Sequence, residues 1–351
     1  MRENCETSKS MEVHAMRGKE AQNVTKGWRL FRYDDISWEE RLNELASQSS
    51  YLQHPAWANY MEKMGWETCR WEYVVNERVT SCVQGFCKRY FGRLGLIWFP
   101  DWIVGDFSVG HDFYKILESQ LGLTYVYVRF RCRQEFHVEK HILMMQSAWE
   151  KPRSKFGEGL TMDLKILDSH DLQLIQASKS WRRFLKKASL FPVHITEQKC
   201  PEQIAAVYED LKKTRSLKKS DIFNSKQIKS LMEEFGHNIL VLGATDSEGA
   251  LIAIRGCIFN GRTATDVFAA TSKRARNSYV SYRLLFELLE RCRSKNCTSY
   301  DLNGINPQSA AGVYQFKKST GAKAKAFLGE YEWTNSIPLK LGVNLLSKFR
   351  R

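Results

Sequence analysis

The chain has 351 residues, 43% hydrophobic and 26% charged, which suits one large or two ordinary domains and excludes global disorder. Lys and Arg outnumber Asp and Glu by 53 to 39, a net charge of +14. That excess favours a polyanionic partner, either nucleic acid or an anionic membrane surface.

Residues 1–26 are polar and lack an apolar h-region, so they read as a disordered tail and not as a signal peptide. Residues 27–36 predict an opening strand, and 38–47 a short helix capped by Asp35-Ile36-Ser37. Residues 51–64 predict a second helix, with Trp57, Tyr60, Met61 and Met64 at helical spacing. Strands are expected at 67–75, 79–89 and 94–99, the first two joined by a turn at Asn76-Glu77. The run from 94 to 104 is the most apolar, but it is too short to span a bilayer and carries Pro100 and Asp101. A helix at 111–121 and a buried strand at 123–130 complete a mixed α/β first half with a strand–helix–strand passage.

Proline, glycine and charge between 149 and 158 mark an interdomain linker. The second half predicts a strand at 160–164, a helix at 168–190, a strand at 193–196 and a helix at 201–216. A meander follows at 238–245, 251–260 and 263–270, turning at 246–249 and at Asn260-Gly261. An amphipathic helix at 278–295, a strand at 299–302, a short helix before 320 and a strand at 323–332 come next. This order is compatible with an acyltransferase fold of the GNAT type. Residues 335–351 form a basic amphipathic tail.

The nine cysteines are scattered without a Cys-x-x-Cys pair, which removes the signature of a structural zinc site and points to reduced thiols in a cytoplasmic protein. His137 and His141 are four apart, but Val138 stands where a zincin needs glutamate, so they read as a surface pair. Acetyl-CoA enzymes of the GNAT type need glycines in a pyrophosphate-binding turn at a helix start. The corresponding segment is residues 274–279, where Asn277 and Tyr279 replace the small residues, and this weighs against CoA. Gly312 to Ser319 has Lys317 where a phosphate-binding loop needs its second glycine. Trp181, Arg182, Arg183, Lys186 and Lys187 give a basic helix face, either solvated or in contact with phosphates. Seven tryptophans between residues 28 and 102 crowd the first half, as core, as cleft lining or as stacking platforms for a base.

The most informative stretch is Tyr300-Asp301-Leu302-Asn303-Gly304, followed by Gly312-Val313-Tyr314-Gln315-Phe316-Lys317-Lys318, Gly321 and Gly329-Glu330-Tyr331. A lysine held at a cleft can stabilise the oxyanion of an acyl-transfer intermediate. Here the sequence resembles the Fem family of peptidyltransferases, also described as lipid II aminoacyltransferases. Gln53-His54-Pro55-Ala56-Trp57-Ala58 with Gly65-Trp66, and Thr161-Met162-Asp163-Leu164 with Lys179-Ser180-Trp181-Arg182, extend the resemblance over most of residues 50–335.

The resemblance implies a mixed α/β fold of two GNAT-like domains, at 27–150 and 151–334, with a cleft between them. It implies transfer of an amino acid from aminoacyl-tRNA to a lipid-linked or nucleotide-linked precursor of the cell envelope, with no cofactor and no metal. Lys317 would bind the reacting carbonyl, and Phe316 would pack at the terminal nucleotide of the donor. Lys318, Tyr314, Asp301, Asn303, Phe268 and Arg276 are the expected donor contacts. Thr214, Arg215, Lys218 and Lys63 are the expected acceptor contacts. The acceptor half departs from the family pattern: Met61 stands where a lysine is expected, with Lys63 close by, and the arginine near Thr214 is displaced. The expected location is the cytoplasm, at the inner face of the membrane. Two alternatives are an acyltransferase using acyl-CoA on an envelope component, and a non-catalytic RNA- or membrane-binding module.

Overall fold

This computed structural model describes residues 25–46, 49–214 and 223–349. The expected tail up to residue 24 lies outside them, as do Arg215 and Lys218. The strands are β1 Lys26–Leu30, β2 Glu67–Val75, β3 Arg78–Tyr90, β4 Leu94–Phe99, β5 Val104–Gly105, β6 Tyr125–Glu135, β7 Leu160–Lys165, β8 Val193–Glu197, β9 Ile239–Asp246, β10 Leu251–Asn260, β11 Thr263–Thr271, β12 Ser299–Gly304 and β13 Lys323–Thr334. The helices are α1 Asp35–Leu45, α2 Pro55–Lys63, α3 Leu117–Leu121, α4 Val138–Met145, α5 His170–Gln176, α6 Lys179–Ser189, α7 Pro201–Thr214, α8 Ser225–Phe235, α9 Val280–Ser294, α10 Ala311–Ser319 and α11 Ile337–Phe349.

The strands form one sheet in the order β1-β2-β3-β4-β6-β13-β7-β12-β11-β10-β9-β8, with β5 paired to β3. Most neighbours are antiparallel. The exceptions are β4 with β6 and β11 with β12, each pair joined by a helical crossover. Local sequence sets the turns. Asn76 and Glu77 both take positive φ, as a tight hairpin between β2 and β3 requires.

β13 holds the two halves together. Residues 323–326 pair with β7, and residues 327–334 pair with β6. Its Tyr331 stacks on Phe130, which stacks on Trp102 inside the aromatic core of the first half. Its Glu330 is buried against Arg129 and accepts from the backbone N–H groups of Phe156 and Gly157, so it also fixes the connecting segment. A second apolar core joins the halves from the other side. Leu52, Ala58, Tyr60, Met61 and Phe86 pack with Ile204, Val207, Ile228, Leu231 and Phe268. A third lies between the second half of the sheet and α6 and α9.

Three expected elements differ. The helix expected at 51–64 is a 3-10 turn at Tyr51–Gln53 followed by α2, because Pro55 forces His54 into extended backbone. The helix expected at 168–190 breaks into α5 and α6. Ala177 is extended, and the Ser178 hydroxyl accepts from Trp181 N–H to start the new helix. The helix expected at 111–121 is a 3-10 turn at Phe113–Ile116 followed by the short α3, and a further 3-10 turn at Phe107–Gly110 precedes it. α8 was not anticipated, although Asn224 and Gln227 form a reciprocal capping box at its start.

Candidate functional site

The end of β12 is tied into a hook. Asn303 has a φ of 63°, and its N–H donates to Asp301 Oδ1 at 2.8 Å. Its side-chain amide donates to the Asp266 carbonyl at 3.0 Å, and its Oδ1 accepts from Gly304 N–H at 2.8 Å. Asparagine suits this place because its short amide tolerates left-handed backbone while bonding locally. The hook presents two carbonyls to the last turn of α10. Lys317 Nζ donates to Asn303 O at 3.2 Å and to Gly304 O at 2.8 Å. The lysine is buried, with only 7% of its surface exposed.

Behind Lys317 lies a buried charge pair that was not anticipated. Arg255 of β10 donates to Asp266 Oδ2 at 2.6 Å, and the Tyr300 hydroxyl donates to Asp266 Oδ1 at 2.9 Å. Both charged side chains are about as buried as Lys317. Burial holds the Lys317 ammonium below the usual lysine range; Asp266 opposes that shift and Arg255 adds to it. Burial likewise pushes the Asp266 carboxyl up, against the pull of Arg255 and Lys317. The Phe316 ring lies across Arg255, with 5.2 Å from guanidinium to ring centroid, and meets Tyr282 of α9 edge-on at 4.8 Å. The signal for Arg255 and Asp266 was present in the sequence, since each interrupts an apolar strand of the meander, in Ile254-Arg255-Gly256-Cys257 and Thr265-Asp266-Val267.

Asp301 points to the other face of the sheet. It accepts from Arg133 at 2.5 Å and from Thr161 at 2.5 Å, bridging the two halves. There it lines a cavity of about 610 Å³ with Asp101, Arg133, Thr161, Asp163 and Lys325. Lys317 and Phe316 are not on its wall. Lys317, Phe316, Asn303 and Asp301 are therefore brought together around one strand end, with Asp301 facing the inter-half cavity.

The other predicted residues are dispersed. Lys318 is exposed, with its ammonium 5.7 Å from the centroid of the half-buried Tyr314 ring. Phe268 is fully buried in the core between the halves, edge-on to Phe223. A bulge opposite Gly256 and Cys257 puts it on the opposite face from Asp266. Arg276 is exposed in the loop before α9. Lys63 ends α2 and pairs with Glu233 at 3.2 Å and Glu234 at 2.5 Å, both on α8. Thr214 ends α7, and its side chain is outside the described residues. In the segment compared with a CoA turn, Arg274 is held by Asp246 at 3.1 Å and Glu248 at 2.6 Å. Tyr279, with a φ of 56°, stacks on Phe184 directly before α9.

Two half-sheets, each with a parallel strand–helix–strand passage, joined by a shared strand and meeting at a polar cavity, define a tandem GNAT-like fold. A tandem GNAT protein from the clavulanic acid biosynthesis pathway, solved without AcCoA, superposes with a TM-score of 0.58 at 11% identity, over 89% of this chain and 99% of that one. The crystal structure of FemX superposes with a TM-score of 0.71 at 14% identity, over 90% of this chain and all of that one. Residues 194–343 match the FemAB family model. A lipid II:glycine glycyltransferase of Staphylococcus saprophyticus is 26% identical over 112 residues, 30% of this chain. That match spans 27% of the relative's own length. The second half of the chain is thus similar to the FemAB family, and the fold over most of its length is that of FemX. Among the described residues, no helix is long and apolar enough to cross a membrane.

Proposed function

We propose that this protein is an aminoacyltransferase that forms an amide bond on a peptidoglycan precursor at the membrane surface, with aminoacyl-tRNA as donor. The single observation that carries the reading is Lys317, a buried ammonium fixed by two strand-end carbonyls in the family's Phe-Lys position. The acceptor amine attacks the ester carbonyl of the donor. The new C–N bond forms, the ester C–O bond breaks, and the proton lost by the amine passes to the ribose oxygen that leaves. Negative charge builds on the carbonyl oxygen in between. Two of the three N–H groups of Lys317 are committed to carbonyls, which fixes the ammonium before the reaction begins, and the third serves that oxygen.

Phe316 offers an apolar face for the terminal nucleotide, backed by Arg255. Asp301 and Asn303 hold the hook that positions Lys317. Lys318, Tyr314 and Arg276 would act as peripheral donor contacts, and Phe268 would support the fold beneath them. Lys63, Thr214, Arg215 and Lys218 would meet the phosphates of a lipid- or nucleotide-linked acceptor. The net charge of +14 supports two polyanionic substrates. The pairing of Arg274 and the placement of Tyr279 weigh against a CoA pyrophosphate.

The test is transfer of a labelled amino acid from charged tRNA to nucleotide-linked and lipid-linked precursors. Lys317→Met is expected to lower kcat by about 10²–10³-fold, the usual effect of removing one oxyanion donor, while the melting curve is kept. Full activity of Lys317→Met, or transfer from acyl-CoA and not from tRNA, would overturn the reading.

A further inference from the structure

α11 turns its more apolar face outward. Among the side chains described, up to residue 346, those it turns to solvent are Ile337, Pro338, Leu341, Gly342, Leu345 and Leu346, none of them polar. The residues it turns inward are Leu339, Lys340, Val343 and Asn344, half of them polar, and Lys340 pairs with Glu150 at 2.6 Å. A helix packed on its own protein to satisfy the hydrophobic effect would show the reverse pattern.

A second element exposes apolar rings at the same end of the molecule. The β3–β4 hairpin tip carries Tyr90 and Phe91, and Phe91 is 98% exposed. The two elements are physically linked through the start of β6. Arg93 O, at the tip, accepts from Thr124 N–H at 2.9 Å and Tyr125 N–H at 3.0 Å. Thr124 O in turn accepts from the Asn335 amide at 2.9 Å, two residues before α11. Tyr125, between them, is also more than half exposed. Phe91, Tyr125 and the start of α11 therefore stand at one end of the first half-sheet, with exposed Arg93 beside the tip, and the Ile337, Leu341 and Leu345 stripe continues from there along the helix.

We propose that these elements form a membrane-docking surface that takes an anionic lipid bilayer. An aromatic hairpin tip, an apolar helix face and a basic neighbour match a headgroup–acyl boundary. The net charge of +14 complements an anionic leaflet. The contact is made from outside, because no described helix can span. This deepens the proposed function by naming how the protein reaches the membrane surface, but it rests on exposure and charge and not on the transfer chemistry.

The test is flotation of the full chain with vesicles of phosphatidylcholine alone and of phosphatidylcholine mixed with phosphatidylglycerol. The wild type is expected to float with the anionic vesicles and to be released by salt. Ile337→Gln/Leu341→Gln and Phe91→Ser should each weaken partitioning by about 10-fold or more, the equivalent of losing one buried apolar side chain. Both variants should keep the wild-type melting curve and transfer to a water-soluble nucleotide-linked precursor. Three results would overturn the proposal: no flotation of the wild type, variants that float equally well, or a self-association abolished by the variants without vesicle binding. The last would make a second copy of the chain the occupant. Loss of flotation with intact soluble transfer separates this inference from the catalytic one.

Discussion

Replacing Asp266 by alanine tests the charge cluster behind Lys317. The substitution leaves the guanidinium of Arg255, whose side chain is 6% exposed, with no carboxylate. It also removes the acceptor for the Tyr300 hydroxyl. Breaking a buried pair from one side costs about 3–5 kcal/mol, because the surviving charge is left desolvated and alone. An orphaned buried hydroxyl costs about 1–3 kcal/mol, but the two effects share one cavity and do not simply add. A loss of about 4 kcal/mol is expected, a large part of the 5–15 kcal/mol typical of a folded domain.

Urea unfolding should show this as a lower midpoint with an unchanged slope. Asp266→Asn keeps an acceptor for Tyr300 and should lose less. The double variant Asp266→Leu/Arg255→Met should recover most of the loss, since replacing a whole buried pair by apolar groups is often near neutral. Asp266 also opposes the fall of the Lys317 pKa, so Asp266→Asn lowers that pKa further. The charged form of Lys317 is then lost at lower pH, and the alkaline limb of the rate profile moves toward neutrality. A cost below about 1 kcal/mol for Asp266→Ala, with the rate profile unmoved, would refute the assignment of Arg255, Asp266 and Lys317 to one desolvated cluster.

Three further outcomes follow from the packing. Phe268→Ala should cost about 3–5 kcal/mol by opening a cavity between the halves, yet leave one cooperative transition; a melt in two separate steps would contradict the shared core. Gly321, with a φ of 88°, has no room for a Cβ, which would sit 2.6 Å from the Gln176 carbonyl. Gly321→Ala should lower stability by at least about 1 kcal/mol and reduce transfer by displacing α10, as read by melting and by the transfer assay. Burial, with Lys155 adding like charge, pulls the Lys151 ammonium down to about 8. The unfolded chain then binds more protons than the native one between pH 8 and the ordinary lysine range, so this group makes stability rise with pH across that window. Lys151→Gln should flatten the rise, and trace acetylation near pH 8 should label Lys151 ahead of other lysines.

The local sequence determined much of this protein. The hairpins at Asn76-Glu77 and Gly261, the meander, and the short path from the hook of β12 to Lys317 all depend on residues close in the chain. Turn chemistry and apolar periodicity report such features directly. The resemblance likewise drew Tyr300, Asp301, Asn303, Phe316 and Lys317 together, and these lie within 18 consecutive positions. Only the tertiary structure decided the rest. Arg255 meets Asp266 because a bulge shifts the register of two strands, and one extra residue reverses which face a side chain occupies. β13 is divided between the two half-sheets, which no local pattern encodes. The periodicity of residues 335–351 showed an apolar face but not its direction. Its exposure depends on what the neighbouring elements offer α11, and Glu332 of β13 and nearby Glu150 offer carboxylates to Lys340 on its inner side.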